Sequence, residues 1–441
     1  MYVRAVEIEN VRSLSRLTWA LDDRPSPGWH VILGDNGAGK SSFLRAVALA
    51  LVGPEDIYGL RQSGEDWLRK DTGDGGIGVV FDGDPKFDRF AVPGRLPRTS
   101  EYGAFVVLKR DAGAVTLGFD ESREVFGKTA DRTIWNPGAK GWFAAGFGPF
   151  RRFTGGESDS ERLAEKRPRL ARYLSLFDER YALSDAVEWL VNLKFAALTG
   201  SGSALFDRVR RFINQEGFLP HGVRFHDVKP PKQVIFVDGA NCEVPIEDLS
   251  DGFRSILSLT IELLRHLAIA YPGHMEASAD GPIDVPGVVL IDEVDAHLHP
   301  TWQRKIGAFL LKAFPKLQFL VTTHSPLVCQ NAEHGTIYLL PEHGSDTPAR
   351  FATDAERARL VYGNVLDAYG TGAFGNDVVR SEAGKQKVER LAELNTKELD
   401  DELSEPEEAE RLELRRELPS RASAVMATSS SNAEESAAGR H

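Results

Sequence analysis

Cysteine is scarce in this sequence, and long apolar runs are absent from it. Two of the 441 residues are cysteines, Cys242 and Cys329, so neither a disulfide framework nor a cysteine-based metal cage is expected. We predict that both thiols lie in or near a core, in a reducing cytoplasm. No stretch approaches the roughly 20 apolar residues of a membrane-spanning helix, and the first residues lack the apolar segment of a signal peptide. These absences argue against a secreted, disulfide-stabilised domain and against a membrane protein.

Positive charge is also in deficit. The sequence has 53 lysines and arginines against 65 aspartates and glutamates, a formal net charge of −12, so the overall charge does not indicate a nucleic-acid-binding protein. Part of the acidic excess lies in residues 382–418, which hold 13 acidic and 7 basic residues. With 42% apolar residues, the chain has the composition of a globular protein, and its length predicts more than one compact unit.

Residues 34–41, GDNGAGKS, match the P-loop pattern G-x-x-x-x-G-K-[ST] at every position. An apolar run before them predicts a buried strand, and residues 43–51 predict a helix that ends before Gly53. The glycines allow backbone N–H groups to surround a phosphate at the helix N-terminus. Lys40 is expected to reach the β- and γ-phosphates of ATP, and the Ser41 hydroxyl to ligate Mg²⁺. The candidate nucleotide-binding residues of this loop are Asn36, Gly37, Ala38, Gly39, Lys40, Ser41 and Ser42.

A second motif follows an apolar strand far downstream. Residues 288–291 are wholly apolar, as in a strand buried on both faces, and they are followed by Asp292 and Glu293. This is a Walker B arrangement, in which Asp292 holds Mg²⁺ and Glu293 acts as the general base on the attacking water. A solvated acidic turn is the alternative, but the P-loop upstream makes it the weaker interpretation.

The next apolar strand, residues 319–322, ends before Thr323 and His324. Because the carboxyl ends of parallel strands meet at one edge of a sheet, His324 is expected to face the same crevice and to sense the γ-phosphate as a catalytic residue. The alternative is a strand-end histidine that bonds nearby backbone. Strands alternating with helices predict an α/β fold with a parallel sheet, whereas short β-like runs within residues 56–130 predict an antiparallel sheet.

Together these motifs resemble those of the ABC-type ATPases, and among them the SMC-like and OLD-like branch. The resemblance rests on the order of the P-loop, a Leu-Ser-Asp-Gly signature at residues 249–252, the Walker B pair and Thr-His-Ser at residues 323–325. A narrower set of motifs resembles stand-alone bacterial phage-defence ATPases of the Septu and retron-associated type. That set comprises residues 148–152 (GPFRR), 249–255 (LSDGFRS), 369–371 (YGT) and 380–381 (RS).

The resemblance implies an ABC-type ATPase head with a mixed P-loop sheet, an antiparallel β subdomain, an inserted helical lobe and a helical C-terminal extension. We expect the last segment to be disordered because it is rich in serine and alanine and lacks an apolar pattern. The expected divisions are residues 1–156 (P-loop and antiparallel sheet), 157–248 (helical and β insert), 249–345 (signature, Walker B and D-loop), 346–418 (helical extension) and 419–441 (disordered tail).

The resemblance also implies that two subunits share each ATP. Ser250, Asp251 and Gly252 of one subunit would cap the γ-phosphate held by Lys40 of another, which predicts a homodimer or a higher homo-oligomer. An ordinary helix N-cap is the alternative interpretation of these residues, and both can hold at once.

Two further residues near the expected site come from the same comparison. Arg12, in the segment Val-Arg-Ser, matches an arginine that contacts nucleotide in the double-strand-break-repair ATPases. The usual Q-loop glutamine is absent from residues 148–152, where Arg151 either replaces it or is merely solvated.

Several functions fit these motifs. The first is a Mg-dependent ATPase that controls a partner effector, a separately encoded nuclease, in phage defence; a slow-turnover ATP-binding scaffold and a DNA-repair ATPase are alternatives. A self-contained nuclease is disfavoured because residues 346–441 are too short and too helical for a further nuclease domain. A transporter subunit is disfavoured by the missing glutamine. The arginines and lysines within 162–172 and 208–211 either bind a DNA backbone or form solvated helix faces.

The acidic stretch 382–418 is expected to dock the effector. Residues 355–380 either share that role or pack back on the ATPase core.

Overall fold

The computed structural model describes residues 1–92, 97, 101–119, 130–151, 167–179, 181, 184–200, 202–230, 232–275, 281–341, 347–371, 373–374, 382–399 and 403–418. The chain divides into two compact units, residues 1–374 and 375–441. Of the predicted features, Arg162, Lys166, the pair Arg380 and Ser381 and the tail 419–441 lie outside the described residues. The domain boundaries drawn from the sequence stay a prediction.

The described part of the chain contains both strands and helices. The strands are β1 (Tyr2–Val11), β2 (Leu14–Ala20), β3 (Gly28–Leu33), β4 (Asp74–Asp82), β5 (Glu101–Asp111), β6 (Ala114–Phe119), β7 (Ala144–Phe147), β8 (Arg224–Lys229), β9 (Gln233–Val237), β10 (Glu243–Pro245), β11 (Gly287–Ile291), β12 (Leu317–Thr322), β13 (Ile337–Leu339) and β14 (Arg350–Phe351). The helices are α1 (Lys40–Val52), α2 (Pro168–Ala171), α3 (Leu174–Phe177), α4 (Ser184–Leu198), α5 (Ser203–Ile213), α6 (Asp251–Ala270), α7 (Pro300–Ala313), α8 (Pro326–Cys329), α9 (Asp354–Tyr362), α10 (Val365–Tyr369), α11 (Glu382–Leu399) and α12 (Glu405–Glu417).

A six-stranded sheet carries the predicted motifs. Its strand order is β14-β13-β3-β12-β11-β7, and every neighbouring pair is parallel except β13 with β14. Val288 and Leu290 of β11 face the core that contains α1, while Val289 and Ile291 face the core that contains α6 and α7. The wholly apolar sequence of β11 therefore reflects burial on both faces, and the prediction of a parallel α/β sheet is confirmed.

The second sheet is antiparallel, as predicted for residues 56–130, and it has the order β2-β1-β4-β5-β6. Helix α1 lies between the two sheets, and its apolar residues share one core with side chains of β1, β4 and β5. The sequence pattern predicted only residues 3–8 and 17–21 as strands at the chain start. In the structure β1 and β2 are longer and form a hairpin whose turn contains Arg12, with φ 51°.

The inserted lobe combines α4 and α5 with a three-stranded antiparallel sheet, β10-β9-β8. Leu190 of α4, Val209 of α5 and Phe236 of β9 belong to the same core as the buried side of α6. The prediction of helices followed by strands in this lobe is confirmed for its described part. This packing leaves the N-terminus of α6 at the edge of the lobe next to the parallel sheet.

Helices α9 and α10 pack back on the ATPase core. Leu360, Val361 and Ala368 are buried in the core that also contains β3 and β12. For this part of residues 355–380, the predicted packing on the core is confirmed, and a share in docking the effector stays a prediction.

The second unit contains a helical hairpin of α11 and α12. Leu394 and Leu414 are its buried apolar residues, and Arg390 pairs with Glu410 at 2.9 Å across the two helices. Pro406 lies in the first turn of α12, where its missing N–H costs no helical hydrogen bond. Exposed ion pairs of this kind add little stability each.

One of the two predictions about cysteine is wrong. Cys329 is buried on α8, where burial raises the pKa of its thiol, but Cys242 is exposed in the turn between β9 and β10. A lone cysteine in a turn carries no pattern that distinguishes a buried from an exposed site.

None of the helices that the structure describes combines the length and the apolar character needed to cross a bilayer.

Candidate nucleotide site

The P-loop connects β3 to α1 as the sequence predicts. Gly37 and Gly39 adopt φ values of 79° and 99°, which favour glycine. A Cβ on Gly39 would lie 2.6 Å from Cδ2 of Leu14 and 2.8 Å from Oγ of Ser13, so the β1–β2 turn requires glycine there. A Cβ on Gly37 would meet nothing within 4 Å. The loop is thus supported on one side and open on the other, which fits the approach of a phosphate chain.

Lys40 lies inside this loop. Its Nζ donates to the carbonyl oxygens of Gly34 at 2.8 Å and Asp35 at 2.9 Å. Burial lowers the pKa of Lys40, and the negative charges of Glu293 and Asp292 act in the opposite direction. The ammonium group is therefore held between the loop and the acidic pair, where phosphate oxygens can replace the carbonyls as its acceptors.

Asp292 is fixed at the carboxyl end of β11. It is 1% exposed, and its Oδ1 accepts a hydrogen bond of 2.6 Å from the Thr322 hydroxyl. The same hydroxyl accepts from the N–H of Glu293 at 2.8 Å, and the Asp292 N–H donates to the carbonyl of Phe147. A solvated turn is therefore the wrong interpretation of Asp292. An oriented carboxylate next to Lys40 fits a hard cation such as Mg²⁺.

A second threonine supports the loop that follows. The Thr323 hydroxyl donates to Oδ1 of Asp295 at 2.5 Å and accepts from the N–H of Ser325 at 2.9 Å. Sequence reasoning treated Thr322 and Thr323 only as the end of a strand and missed that each holds an acid of the neighbouring strand end. The available signal was two adjacent hydroxyls one strand after the Walker B pair.

His324 follows these threonines and is exposed at the same edge of the sheet. Within the described residues, the structure shows no hydrogen bond from its ring to the backbone, which was the alternative to a γ-phosphate sensor. Its role in sensing phosphate stays a prediction.

Arg151 is buried at this edge, so the interpretation of a solvated arginine is wrong. It is 5% exposed, and its Nη2 donates to the carbonyl oxygen of Glu293 at 2.7 Å. Burial lowers its pKa to about 10, against the opposing influence of Asp295, Asp292 and Glu293. The cation in the Q-loop position thus contacts the residue predicted to be the base.

The signature segment begins α6. Ser250 occupies the N-cap position with φ −61° and ψ 157°, but its side chain makes no capping hydrogen bond, and the residue is exposed. A Cβ on Gly252 would lie 2.9 Å from the carbonyl oxygen of His297, so the signature helix packs closely against the loop after Walker B. Asp251 pairs with Arg254. The N-cap interpretation holds for backbone position only, which leaves the Ser250 hydroxyl available to another molecule.

Arg12 lies in the turn that supports Gly39. Its Nε donates to the carbonyl of Asp66 at 3.0 Å, and its guanidinium lies 4.3 Å from the ring centre of Trp67. Burial and then the nearby Arg45 cation lower the pKa of Arg12. The predicted nucleotide contact of Arg12 is not tested by this geometry.

Three arginines of the predicted basic stretches 162–172 and 208–211 bind or pack within the chain, whereas Arg210 and Arg211 are exposed on α5. Arg169 donates to the carbonyl oxygens of Ile134, Asn136 and Ala139. Arg172 and Arg208 are 9% and 4% exposed. For these three arginines both earlier interpretations, DNA contact and a solvated face, are wrong. Charge alone could not reveal that Arg169 and Arg208 donate to backbone carbonyls or that Arg172 packs over the Phe143 ring.

The strand–P-loop–helix unit, the oriented Walker B acids and the adjacent signature helix define the head of a P-loop ATPase. The chain belongs to the family described as "AAA domain, putative AbiEii toxin, Type IV TA system", whose model matches residues 30–330. Nucleotide binding follows from membership of this family, and the predicted ATPase activity is confirmed at this level.

Two similar proteins bear out the narrower resemblance. The chain is 26% identical over 345 residues to Septu protein PtuA of Bacillus mycoides (strain KBAB4), an alignment that covers 78% of this chain and 41% of that protein. It is 40% identical over 123 residues to the Retron Ec83 probable ATPase of Escherichia coli, covering 28% of this chain and 22% of that protein. The chain thus spans less than half the length of these relatives.

Among solved structures, the chain is similar to an SMC head bound to the C-terminal winged-helix domain of ScpA, with 14% identity and a TM-score of 0.45. That alignment covers 80% of this chain and 98% of the SMC head. An SMC head domain from Thermotoga maritima gives 16% identity and a TM-score of 0.37, with the same two coverages.

Proposed function

We propose that this ATPase serves anti-phage defence, where it binds and hydrolyses Mg-ATP between two heads and thereby controls a partner effector, a separately encoded nuclease. The similarity to a Septu protein and to a retron ATPase supports the defence role. The site geometry supports hydrolysis, because the phosphate, metal and base candidates of one chain lie at one edge of one sheet.

Within a head, each residue type has one task. The P-loop glycines and Lys40 bind the phosphates, and Ser41 and Asp292 would hold Mg²⁺, which when bound neutralises charge on the β- and γ-phosphates. Glu293 takes the proton of the attacking water. The Thr322 hydroxyl bonds both the Asp292 carboxylate and the Glu293 backbone, and so fixes their positions relative to each other.

The observation that carries the two-headed arrangement is the exposed, uncapped hydroxyl of Ser250. A helix N-terminus with a free serine hydroxyl attracts an anion, and α6 is long enough for its dipole to contribute. The Lys40 phosphate site is open above Gly37. A second head that presents Ser250 to that opening would complete the site and make association depend on ATP.

The effector is proposed to dock on the acidic hairpin α11–α12 of the second unit. This hairpin is acidic in sequence and belongs to the second compact unit. An acidic surface favours a basic protein partner and disfavours DNA.

A plaque assay tests the defence role. Cells would express the chain together with the genes encoded beside it, and phage plating would be compared for wild type, Lys40→Ala and the control Lys316→Ala, a surface lysine paired with Asp284. Protection by wild type and Lys316→Ala, and its loss in Lys40→Ala, is the expected result. No protection by wild type against a broad phage panel would contradict the defence role, and protection by Lys40→Ala would remove ATP from it.

A further inference from the structure

Glu293 has an unusual main-chain conformation. Its φ is 44°, a left-handed value that costs a residue other than glycine roughly 1–3 kcal/mol. Such a conformation persists only where the surroundings hold it. The residue predicted to be the base is therefore one whose backbone conformation needs support from other groups.

Both polar groups of the Glu293 backbone are hydrogen-bonded, and within its own loop the carbonyl also accepts from the N–H of Ala296 at 2.9 Å. The N–H donates to the Thr322 hydroxyl at 2.8 Å, and the carbonyl accepts from Nη2 of Arg151 at 2.7 Å. Thr322 comes from β12 and Arg151 from the loop after β7, the strands on either side of β11. Glu293 is thus held from both neighbouring strands.

We propose that Arg151 is a positioning residue for ATP hydrolysis, which holds the Glu293 backbone in the left-handed conformation from which its carboxylate acts as the base. This inference rests on the proposed role of Glu293. Arg151 acts through Glu293 and is not itself assigned a contact with ATP.

The loop that carries Arg151 is fixed by packing. Phe147 of β7 pairs with Ile291 of β11, and its carbonyl accepts from the N–H of Asp292 at 2.8 Å. A Cβ on Gly148 would lie 2.1 Å from the carbonyl oxygen of Ser175, so only glycine lets the chain pass there. The Arg151 N–H then donates to the carbonyl of Pro149 at 3.1 Å. A short, tightly packed path therefore leads from β7 to the guanidinium.

Arg151 is also poorly explained by stability alone. It is buried, and within the described residues its Nε has no hydrogen-bond partner. A buried guanidinium with an unpaired donor carries a desolvation cost, which the negative charges of Asp292, Glu293 and Asp295 offset only through space. A cation kept at this cost beside a catalytic carboxylate indicates a functional role.

The test compares Arg151→Gln and Arg151→Lys with a matched buried arginine. Arg172 serves as the control, because it is similarly buried, its pKa is also lowered to about 10 by burial, and it packs over the Phe143 ring 5.1 Å away. Steady-state phosphate release gives kcat and KM for ATP, a fluorescent ADP analogue gives nucleotide affinity, and thermal unfolding gives the folded fraction.

We expect Arg151→Gln to lower kcat by about 10²-fold, with KM and nucleotide affinity within about threefold of wild type, because the base is misplaced while the P-loop is intact. Arg151→Lys should recover part of kcat, since it keeps the charge and one donor. Arg172→Gln should lose stability but keep its kcat per folded molecule.

Three results would overturn the inference. One is a wild-type kcat in Arg151→Gln or, should that variant not fold, in Arg151→Met, which has no donor for the Glu293 carbonyl. Another is a loss no larger than the loss of folded protein, as in the Arg172→Gln control. The third is normal turnover by Glu293→Gln, which refutes the base itself; an inactive Glu293→Gln beside an active Arg151→Gln refutes only the role of Arg151.

Discussion

Replacing Thr322 by valine removes one hydroxyl without changing the shape of the side chain appreciably. In the structure that hydroxyl donates to Asp292 at 2.6 Å and accepts from the N–H of Glu293 at 2.8 Å. Thr322→Val therefore removes the group that links Asp292, the predicted metal ligand, to Glu293, the predicted base. It leaves every residue of the P-loop unchanged.

The magnitude follows from these two bonds. A hydrogen bond to a charged group contributes about 1.5–3 kcal/mol, so the free energy of unfolding should fall by roughly that amount. A change in the relative position of Asp292 and Glu293 should lower kcat by roughly 10–100-fold, because small displacements of reacting groups have effects of this size. KM for ATP should change little, since Lys40 and the glycine loop are untouched.

Thr336→Val is the matched control. Thr336 is also buried, and its hydroxyl lies 3.0 Å from Nδ1 of His30, away from the acidic pair. Burial lowers the pKa of His30 to about 4, so the ring is neutral. Its Nε2 donates to the carbonyl of Ser26, so Nδ1 accepts from the Thr336 hydroxyl, and the loss of that donor costs stability alone. This control should be destabilised but should hydrolyse ATP at the wild-type rate per folded molecule.

Phosphate release over an ATP titration, corrected for folded fraction by circular dichroism, measures both effects. A Thr322→Val enzyme with wild-type kcat would refute the reasoning that this hydroxyl aligns the two acids. Equal losses of kcat in Thr322→Val and Thr336→Val would show that stability alone explains the effect.

Two further predictions concern partners. Ser250→Arg should reduce hydrolysis at least ~10-fold while nucleotide binding persists, because a bulky cation would occupy the N-terminus of α6. Mixing this variant with Lys40→Ala subunits should restore at most one working site per dimer. Normal hydrolysis by Ser250→Arg alone would contradict the sharing of sites between subunits. Ending the chain after Ser381 should leave hydrolysis unchanged but abolish co-purification with the protein encoded beside it. Undiminished partner affinity would place the docking site elsewhere, for example on the helical lobe at 158–217.

The P-loop, Walker B and signature segments could be predicted from the sequence because each is a local pattern whose chemistry requires its spacing. Asp292 and Glu293 could be recognised from the apolar run before them together with the P-loop upstream. The long sheet could be predicted as parallel because β11 and β12 are apolar on both faces. These features depend on residues that are neighbours in the chain.

The supporting contacts could not be predicted, because they depend on which strands lie side by side. Thr322 reaches Asp292 only because β12 pairs with β11 in the register Val321 to Ile291. Arg151 reaches Glu293 because β7 lies on the other side of β11. A sequence shows the strands but not their order.

Charge misled the sequence interpretation in the helical lobe for a related reason. Arg208 donates to the carbonyl of Gly281, which is distant in sequence, and Arg172 lies over the ring of Phe143. The apolar stems of arginine pack like core residues, so their positions follow from tertiary contacts. A run of basic residues therefore cannot by itself be assigned to solvent or to DNA.

The measurement that tests the central claim most directly is phosphate release and nucleotide binding by Glu293→Gln beside wild type. The amide keeps the shape of the side chain but cannot accept the proton, so turnover should fall by about 10²–10⁴-fold. Affinity for the nucleotide should persist, because Lys40, Ser41 and Asp292 remain. Wild-type turnover in Glu293→Gln would contradict the claim that this edge of the sheet, with Glu293 as its base, is where the chain hydrolyses ATP.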